Sequence, residues 1–303
     1  MFRPPAAGHK ITVLSSTLKM NSRITKHAPV MVGEVLRFLR PSVGRTFLDA
    51  TFGGGGHSRA ILALGAAVLA IDRDPATAEL AEPFIEEFAD QFRYRDLSFD
   101  RIGELSELFD GIVIDLGLST DQLEQTDRGF SFARDERLDM RFDQRAGPSA
   151  ADLLNRATKP ELERIFRDLA EDRQWRGLAR KIVDNRRRQP YQRTGQLVET
   201  IGTDQPKVLA PIFQGLRIAV NDELTVLVRA LAASKSCLKI GGTLVVISFQ
   251  SLEDRLVKNF FRQEGWEVLT KKPVSPTVAE LAVNPRSRSA KLRAGRFLGL
   301  SQE

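Results

Sequence analysis

The stretch Asp49 to His57, "DATFGGGGH", runs from the end of an apolar segment through four consecutive glycines into a helix opened by His57 and Ser58. Glycines at such a turn adopt positive φ and let a backbone come close to a ligand, while a helix N-terminus offers free N–H donors. By itself the pattern fits a nucleotide-like ligand or a glycine-rich structural turn. Asp72 ends the next apolar run, "AIDRDP" (70–75), 19 residues beyond Gly53. An acidic side chain at that distance can accept both hydroxyls of a ribose. Its structural alternative is helix capping, a role that Asp74, followed by Pro75, already fills.

Three ligand classes share this geometry. A phosphate-cradling loop needs Gly-Lys-Ser/Thr after its turn, and none follows Gly56. A dinucleotide fingerprint needs a third glycine where this chain has Arg59. S-adenosyl-L-methionine (AdoMet), which carries a ribose and no phosphate, fits what remains.

Working outward, "TFLDATF" (46–52), "AAVLAID" (66–72) and "GIVIDLG" (111–117) are short apolar runs that read as buried parallel strands. Between them Leu80, Phe84, Ile85 and Phe88 recur at helical spacing. From about Asp121 to Gln214 the strand signal vanishes. Thr158 and Glu161 fit a capping box ahead of the stripe Leu162, Ile165, Phe166 and Leu169. Trp175, Ala179, Ile182 and Val183 form a second stripe, and Thr194 precedes a third at Leu197, Val198 and Ile201. The α/β pattern resumes with Leu216, Val220, Leu224, Leu227 and Leu231 at helical spacing and "GGTLVVISF" (241–249) as a strand. The expected fold is α/β, a Rossmann-like sheet interrupted by an all-helical insertion. Its expected division is a sheet domain from 27–120 and 215–303, a helical domain from 121–214 and an N-terminal extension of 1–26.

The segment "DGIVIDLGLSTDQL" (110–123) places Asp115, Gly117, Ser119 and Gln122 at the carboxyl edge of the sheet, where open α/β folds bind ligands. Asp115 could orient an exocyclic amine, receive its proton, contact the cofactor or merely cap the next turn. "SFQSLEDR" (248–255) occupies the equivalent edge after the late strand and either holds substrate or forms a capping box from Ser251 to Asp254. Basic side chains gather in two places. Arg173, Arg176, Arg180, Lys181, Arg186, Arg187, Arg188 and Arg193 face only Asp184 across 173–193, and Arg286, Arg288, Lys291, Arg293 and Arg296 face no acid across 284–297. Such clusters track a phosphate backbone, or coat a solvated helix face.

The 303 residues suffice for one sizeable domain with an insertion. No apolar run approaches the roughly 18 to 20 residues of a membrane span. One cysteine, Cys237, excludes an internal disulfide and reads as a small buried helix residue; with His9, His27 and His57 it makes no clustered zinc spacing. The net charge is +6, but residues 1–26 hold five bases and no acid, and without them 40 bases oppose 39 acids. Any attraction for RNA must therefore come from local clustering. The opening segment, basic and rich in Ser and Thr, has the composition of a transit peptide, or is a disordered tail or an upstream start with Met20 the true one.

The strings "HAPVM" (27–31), "DATFGGGGHS" (49–58), "AIDRDP", "DGIVIDLGLSTDQL", "RGFSF" (128–132), "LDMRFD" (138–143), "LRIAVNDEL" (216–224), "SFQSLEDR" and "NPRSRSAKLR" (284–293), in this order, resemble the bacterial 16S ribosomal RNA cytosine-N4 methyltransferases, the MraW or RsmH family. The resemblance runs from His27 to about Phe297. It implies an AdoMet-dependent methyltransferase domain with an inserted helical domain, small-subunit ribosomal RNA as substrate and a cytoplasmic location. Carried over by motif, the AdoMet contacts fall on Gly55, Gly56, His57, Asp72, Phe99, Asp115 and Gln122, with Asp115 also the candidate catalytic residue. Where the family usually has histidine this chain has Gln250, which can donate and accept hydrogen bonds but does not titrate.

Overall fold

The computed structural model describes residues 29–118 and 126–299. Expectations placed on 1–26, Ser119 and Gln122 lie outside the described residues. The apolar runs form a seven-stranded sheet of order β3-β2-β1-β4-β5-β7-β6. Its strands are β1 (Thr46–Asp49), β2 (Ala67–Asp72), β3 (Phe92–Asp96), β4 (Phe109–Asp115), β5 (Leu238–Ser248), β6 (Trp266–Val268) and β7 (Lys291–Phe297). The first five run parallel, and β7 is antiparallel to both β5 and β6. From β1 the chain winds outward through β2 to β3, then returns to β4 on the other side. This reversal opens a crevice at the carboxyl ends of β1 and β4.

Successive strand residues point to opposite faces, so each run feeds two cores. Leu48, Leu69, Ile71, Ile112, Ile114, Leu244 and Val246 pack on one side with Leu227, Leu231 and Phe260. Phe47, Val68, Ala70, Val113, Val245 and Ile247 pack on the other with Val35, Leu39, Ile61 and Phe84. Full burial of each large side chain stabilises by about 1.5–3 kcal/mol, which is why these strands are apolar throughout.

The helices of the sheet layer include α1 (Val32–Leu39), α2 (Gly56–Leu62) and α3 (Thr77–Phe88). The start expected at Pro75 falls two residues later. The Asp74 carboxylate accepts from Ala76 N–H at 3.1 Å and its carbonyl from Thr77 N–H at 3.0 Å, so 74–76 form a turn ahead of the helix. Phe84 is buried as expected, but Ile85 is half exposed.

Between β4 and β5 no element among the described residues joins the sheet. Here lie α4 (Ala150–Arg156), α5 (Lys159–Arg164), α6 (Trp175–Arg186), α7 (Thr194–Ile201) and α8 (Pro206–Asn221) around a separate core that includes Phe130, Leu138, Phe166, Ala179, Leu197 and Leu216. The capping box at α5 is present: Glu161 N–H donates to Thr158 Oγ1 at 3.4 Å, and Thr158 N–H to Glu161 Oε2 at 2.7 Å. A π-helical turn at Ile165–Leu169 follows.

The spacing from Leu216 to Leu231 predicts one helix, whereas the structure has two. α8 spans the 214/215 boundary and ends at Asn221; Asp222 takes a left-handed φ of 48°, and α9 (Glu223–Cys237) begins anew. The break is held by Asn221, whose side-chain N–H₂ donates to Met140 O at 2.7 Å and whose Oδ1 accepts from Phe142 N–H at 2.8 Å. Arg217 pairs across it with Glu223. Cys237 is buried at the end of α9, with its thiol donating to Ile102 O. Two short helices, α10 (Ser251–Phe260) and α11 (Val278–Val283), complete the chain. Among the described residues no helix is long and apolar enough to cross a membrane.

Candidate active site

A cavity of about 400 Å³ opens at the carboxyl edge of β1, β2, β4 and β5. It is lined by Gly53, Gly54, Gly56, His57, Asp72, Phe99 and Asp115, together with Gln250 and Glu253 from beyond the end of β5. The structure thus brings Gly56, His57, Asp72, Phe99 and Asp115 to one wall system. Gly55 is not among the lining residues. It has a φ of +76°, and a Cβ there would stand 2.4 Å from Phe84 Cζ and 2.8 Å from the Phe52 ring. At Gly56 a Cβ would come within 2.6 Å of Pro29. These two glycines therefore serve packing: one seats the loop on the edge-to-face pair Phe52–Phe84, the other admits the Pro29 ring.

The spacing between the glycine loop and Asp72 is a direct contact: Gly53 N–H donates to Asp72 Oδ2, and Asp74 N–H to Oδ1, each at 2.9 Å. A carboxylate has about four acceptor sites, so two bonds leave capacity for a diol. Burial pushes the Asp72 carboxyl up to about 6, against the pull of the Asp74 and Gly53 N–H groups. Arg59, where a dinucleotide fold would need glycine, stacks its guanidinium 4.5 Å over Phe84 and pairs with Glu87.

At the reversal point three acids surround a buried imidazole. His57 Nε2 lies 3.3 Å from Asp115 Oδ2. Behind it, Asp49 accepts from Ser58 Oγ at 2.7 Å, and Thr51 Oγ1 accepts from Asp115 N–H at 2.7 Å. Burial alone lowers the imidazole, yet the hydrogen bond and charge of Asp115, with Asp49 and Glu280, hold it above the ordinary histidine value. The Asp49 carboxyl is raised, chiefly by burial. Among the described residues His57 Nδ1, Asp115 Oδ1 and Gln250 Oε1 are buried without a hydrogen-bond partner. Orphaned polar atoms cost about 1–3 kcal/mol each, and their gathering around one cavity suits a polar ligand.

On the β5 side the cap lies one residue earlier than Ser251–Asp254, and Glu253 alone supplies its side-chain bonds. Glu253 Oε2 accepts from Phe249 N–H at 2.9 Å and Gln250 N–H at 3.2 Å, while Asp254 instead receives Arg293 at 2.6 Å. The reason is that the chain leaves β5 at Ser248, so Gln250 becomes the cap. Burial, with the charge of Glu223, pushes Glu253 up to about 7.

Several groups in or beside the cavity were not legible as such in the sequence. Arg217 and Glu223 pair at 2.8 Å across the α8–α9 break, and Arg73 stacks 4.0 Å over Phe142 of the helical segment. Glu280, on α11, accepts from Met31 N–H at 2.6 Å across 249 residues of sequence.

The two basic clusters fare differently. In the first, Arg186 donates to Leu154 O and Ala157 O, and Arg193 pairs with Asp135. The exposed side chains Arg173, Arg176, Arg180, Lys181, Arg187 and Arg188 make no ion pair among the described residues. In the second, Arg293 is buried against Asp254 and Arg296 meets Glu267, leaving Arg286 at the cavity and Arg288 exposed. The expected phosphate track there is thus shorter than five residues, because Asp254 and Glu267 engage two of them.

The sequence profile described as the MraW methylase family matches residues 24–298. The chain belongs to the MraW methylase family. A protein of Chelativorans sp. (strain BNC1) named ribosomal RNA small subunit methyltransferase H is 44% identical over 295 residues, covering 89% of this chain and 87% of its own length. The protein of that name from Brucella canis is 41% identical over 302 residues, with the same coverage. As a MraW methylase, the protein is an AdoMet-dependent methyltransferase with the Rossmann-like sheet and helical insertion described above.

Proposed function

We propose that this MraW methylase transfers a methyl group to the N4 amino group of a cytosine in small-subunit (16S) ribosomal RNA. The observation that carries the reading is the cavity at the strand reversal, where the glycine loop and Asp72 face Asp115 across one space. The ordered motifs and the relatives named for the ribosomal small subunit support the substrate.

AdoMet, when bound, supplies a methyl group made electrophilic by its sulfonium. Asp72 receives the ribose hydroxyls on the acceptor sites that Gly53 and Asp74 leave free. Gly56, His57 and Phe99 complete the cofactor wall, with Gly55 fixing the loop from behind and Gln122 assigned by motif. Asp115 meets the amino group at the carboxyl end of β4. The exocyclic nitrogen gives the electron pair of the new N–C bond as the S–C pair leaves with sulfur, and one N–H proton passes to Asp115. His57, held above its ordinary pKa at 3.3 Å, stabilises the charge on that carboxylate. No covalent protein intermediate is required.

The target base enters unpaired or flipped out, because a paired cytosine hides its amino group in the duplex. The exposed face of Arg173, Arg176, Arg180, Lys181, Arg187 and Arg188 holds the flanking phosphates. The division into a sheet domain (27–120 and 215–303) and a helical domain (121–214) belongs to this proposal, the helical part acting as the RNA clamp, in the cytoplasm. Incubation with methyl-labelled AdoMet and under-methylated small subunits, free small-subunit RNA or duplex DNA tests it. Label is expected in RNA; label in DNA alone, or in none, overturns the reading.

A further inference from the structure

The cavity holds two orphaned acceptors where the reaction needs a pair. Asp115 ends β4 opposite Ile247 of β5, and Leu116 N–H donates to Ile247 O at 2.9 Å. Gln250 follows three residues beyond Ile247, so both side chains stand at the carboxyl ends of adjacent parallel strands and line the same cavity. Asp115 Oδ2 is engaged by His57, which leaves Oδ1 unpartnered. Gln250 is 7% exposed, and its Oε1 is likewise buried without a partner among the described residues. Its backbone is fixed by Glu253, which accepts from Gln250 N–H at 3.2 Å.

Resting on the N4-cytosine reading, we infer that Gln250 is a positioning residue that accepts one N–H of the target amino group while Asp115 Oδ1 accepts the other. Cytosine N4 carries two N–H donors in the plane of the base, and its lone pair is delocalised into the ring. Two acceptors in that plane fix the amino group so that nitrogen faces the methyl donor. They also differ in chemistry: a carboxylate can serve as the base for the departing proton, and a neutral amide cannot. The hydrogen on Asp115 therefore leaves and the hydrogen on Gln250 stays. The same pair disfavours uracil, whose O4 would set a third acceptor against two. It also disfavours a second methylation, since the product keeps a single N–H and can satisfy only one of the two.

The test compares wild type, Gln250→Met, Gln250→Leu and Gln250→Glu on under-methylated small subunits at saturating AdoMet, with AdoMet affinity measured by calorimetry. Methionine and leucine remove the acceptor, and glutamate keeps one. The expected result for Gln250→Met and Gln250→Leu is a kcat lowered about 100-fold, comparable to loss of one positioned hydrogen bond in other sites, with AdoMet affinity and melting temperature kept. Gln250→Glu restores kcat to within about tenfold of wild type. A kcat within about threefold of wild type in either acceptor-free variant overturns the inference, as does equal loss in all three or loss of AdoMet binding in both acceptor-free variants. Failure of the wild type itself to form N4-methylcytidine refutes the functional reading instead.

Discussion

Lowering the pH from 7 to 5 should weaken AdoMet binding about tenfold, through Asp72. Burial lifts this carboxyl to about 6, the N–H groups of Asp74 and Gly53 pull it back, the Asp74 charge raises it and Arg73 lowers it. A ribose diol brings two donors, and the ionised form alone can accept both beside its existing bonds. About ten in eleven molecules are ionised one unit above the pKa and about one in eleven a unit below. Binding that selects the carboxylate therefore loses about 1.4 kcal/mol over this range. The direction is fixed: affinity is present above about 6 and falls as protons are added. Glu253, at about 7, titrates in the same range, so the assay needs two variants. Calorimetry with AdoMet at pH 5, 6 and 7 should give a slope in wild type and in Glu253→Gln. In Asp72→Asn binding should be weaker at pH 7 and the slope lost. Unchanged wild-type affinity between pH 5 and 7, or an Asp72→Asn variant retaining both affinity and slope, would refute the reasoning.

Gly55→Ala places a side chain at φ +76° and against Phe84 and Phe52. The left-handed conformation costs about 1–2 kcal/mol and the overpacking about 1–3, so the melting temperature should fall by roughly 4–20 °C in a thermal scan. An unchanged melting temperature would contradict the packing role. Replacing Arg176, Arg180 and Arg187 together by Glu should weaken binding to small-subunit RNA and flatten its dependence on salt by about 0.7 per lost phosphate contact, with AdoMet affinity untouched. Equal salt slopes for the two proteins would place the RNA elsewhere.

The features legible in the sequence are those whose cause is local. The strands around Leu48, Ile71 and Val113 are buried on both faces, so their apolar runs announce them. β3, "FRYRD", has no such run because it is an edge strand that buries only Phe92 fully, and β6 is three residues long. The Gly53–Asp72 contact is legible because both lie at the ends of neighbouring strands, a spacing set by one βαβ unit. Where apolar spacing continues through a break, as across Asp222, the sequence shows a face and hides the end; only Asn221 bonding to the distant Met140 and Phe142 explains it. Glu253 and Asp254 are chemically alike and adjacent, so which one caps α10 depends on where β5 stops. Glu280 reaches Met31 from the far end of the chain, and no local pattern encodes that meeting.

The central claim is the atom that receives the methyl group. Small subunits lacking the modification, treated with the protein and labelled AdoMet, can be digested to nucleosides and resolved by liquid chromatography with mass detection. The account predicts label in N4-methylcytidine at one position, with none in N4,N4-dimethylcytidine. Label in a C5-methylated or 2′-O-methylated nucleoside, or in an adenosine or guanosine, would contradict it.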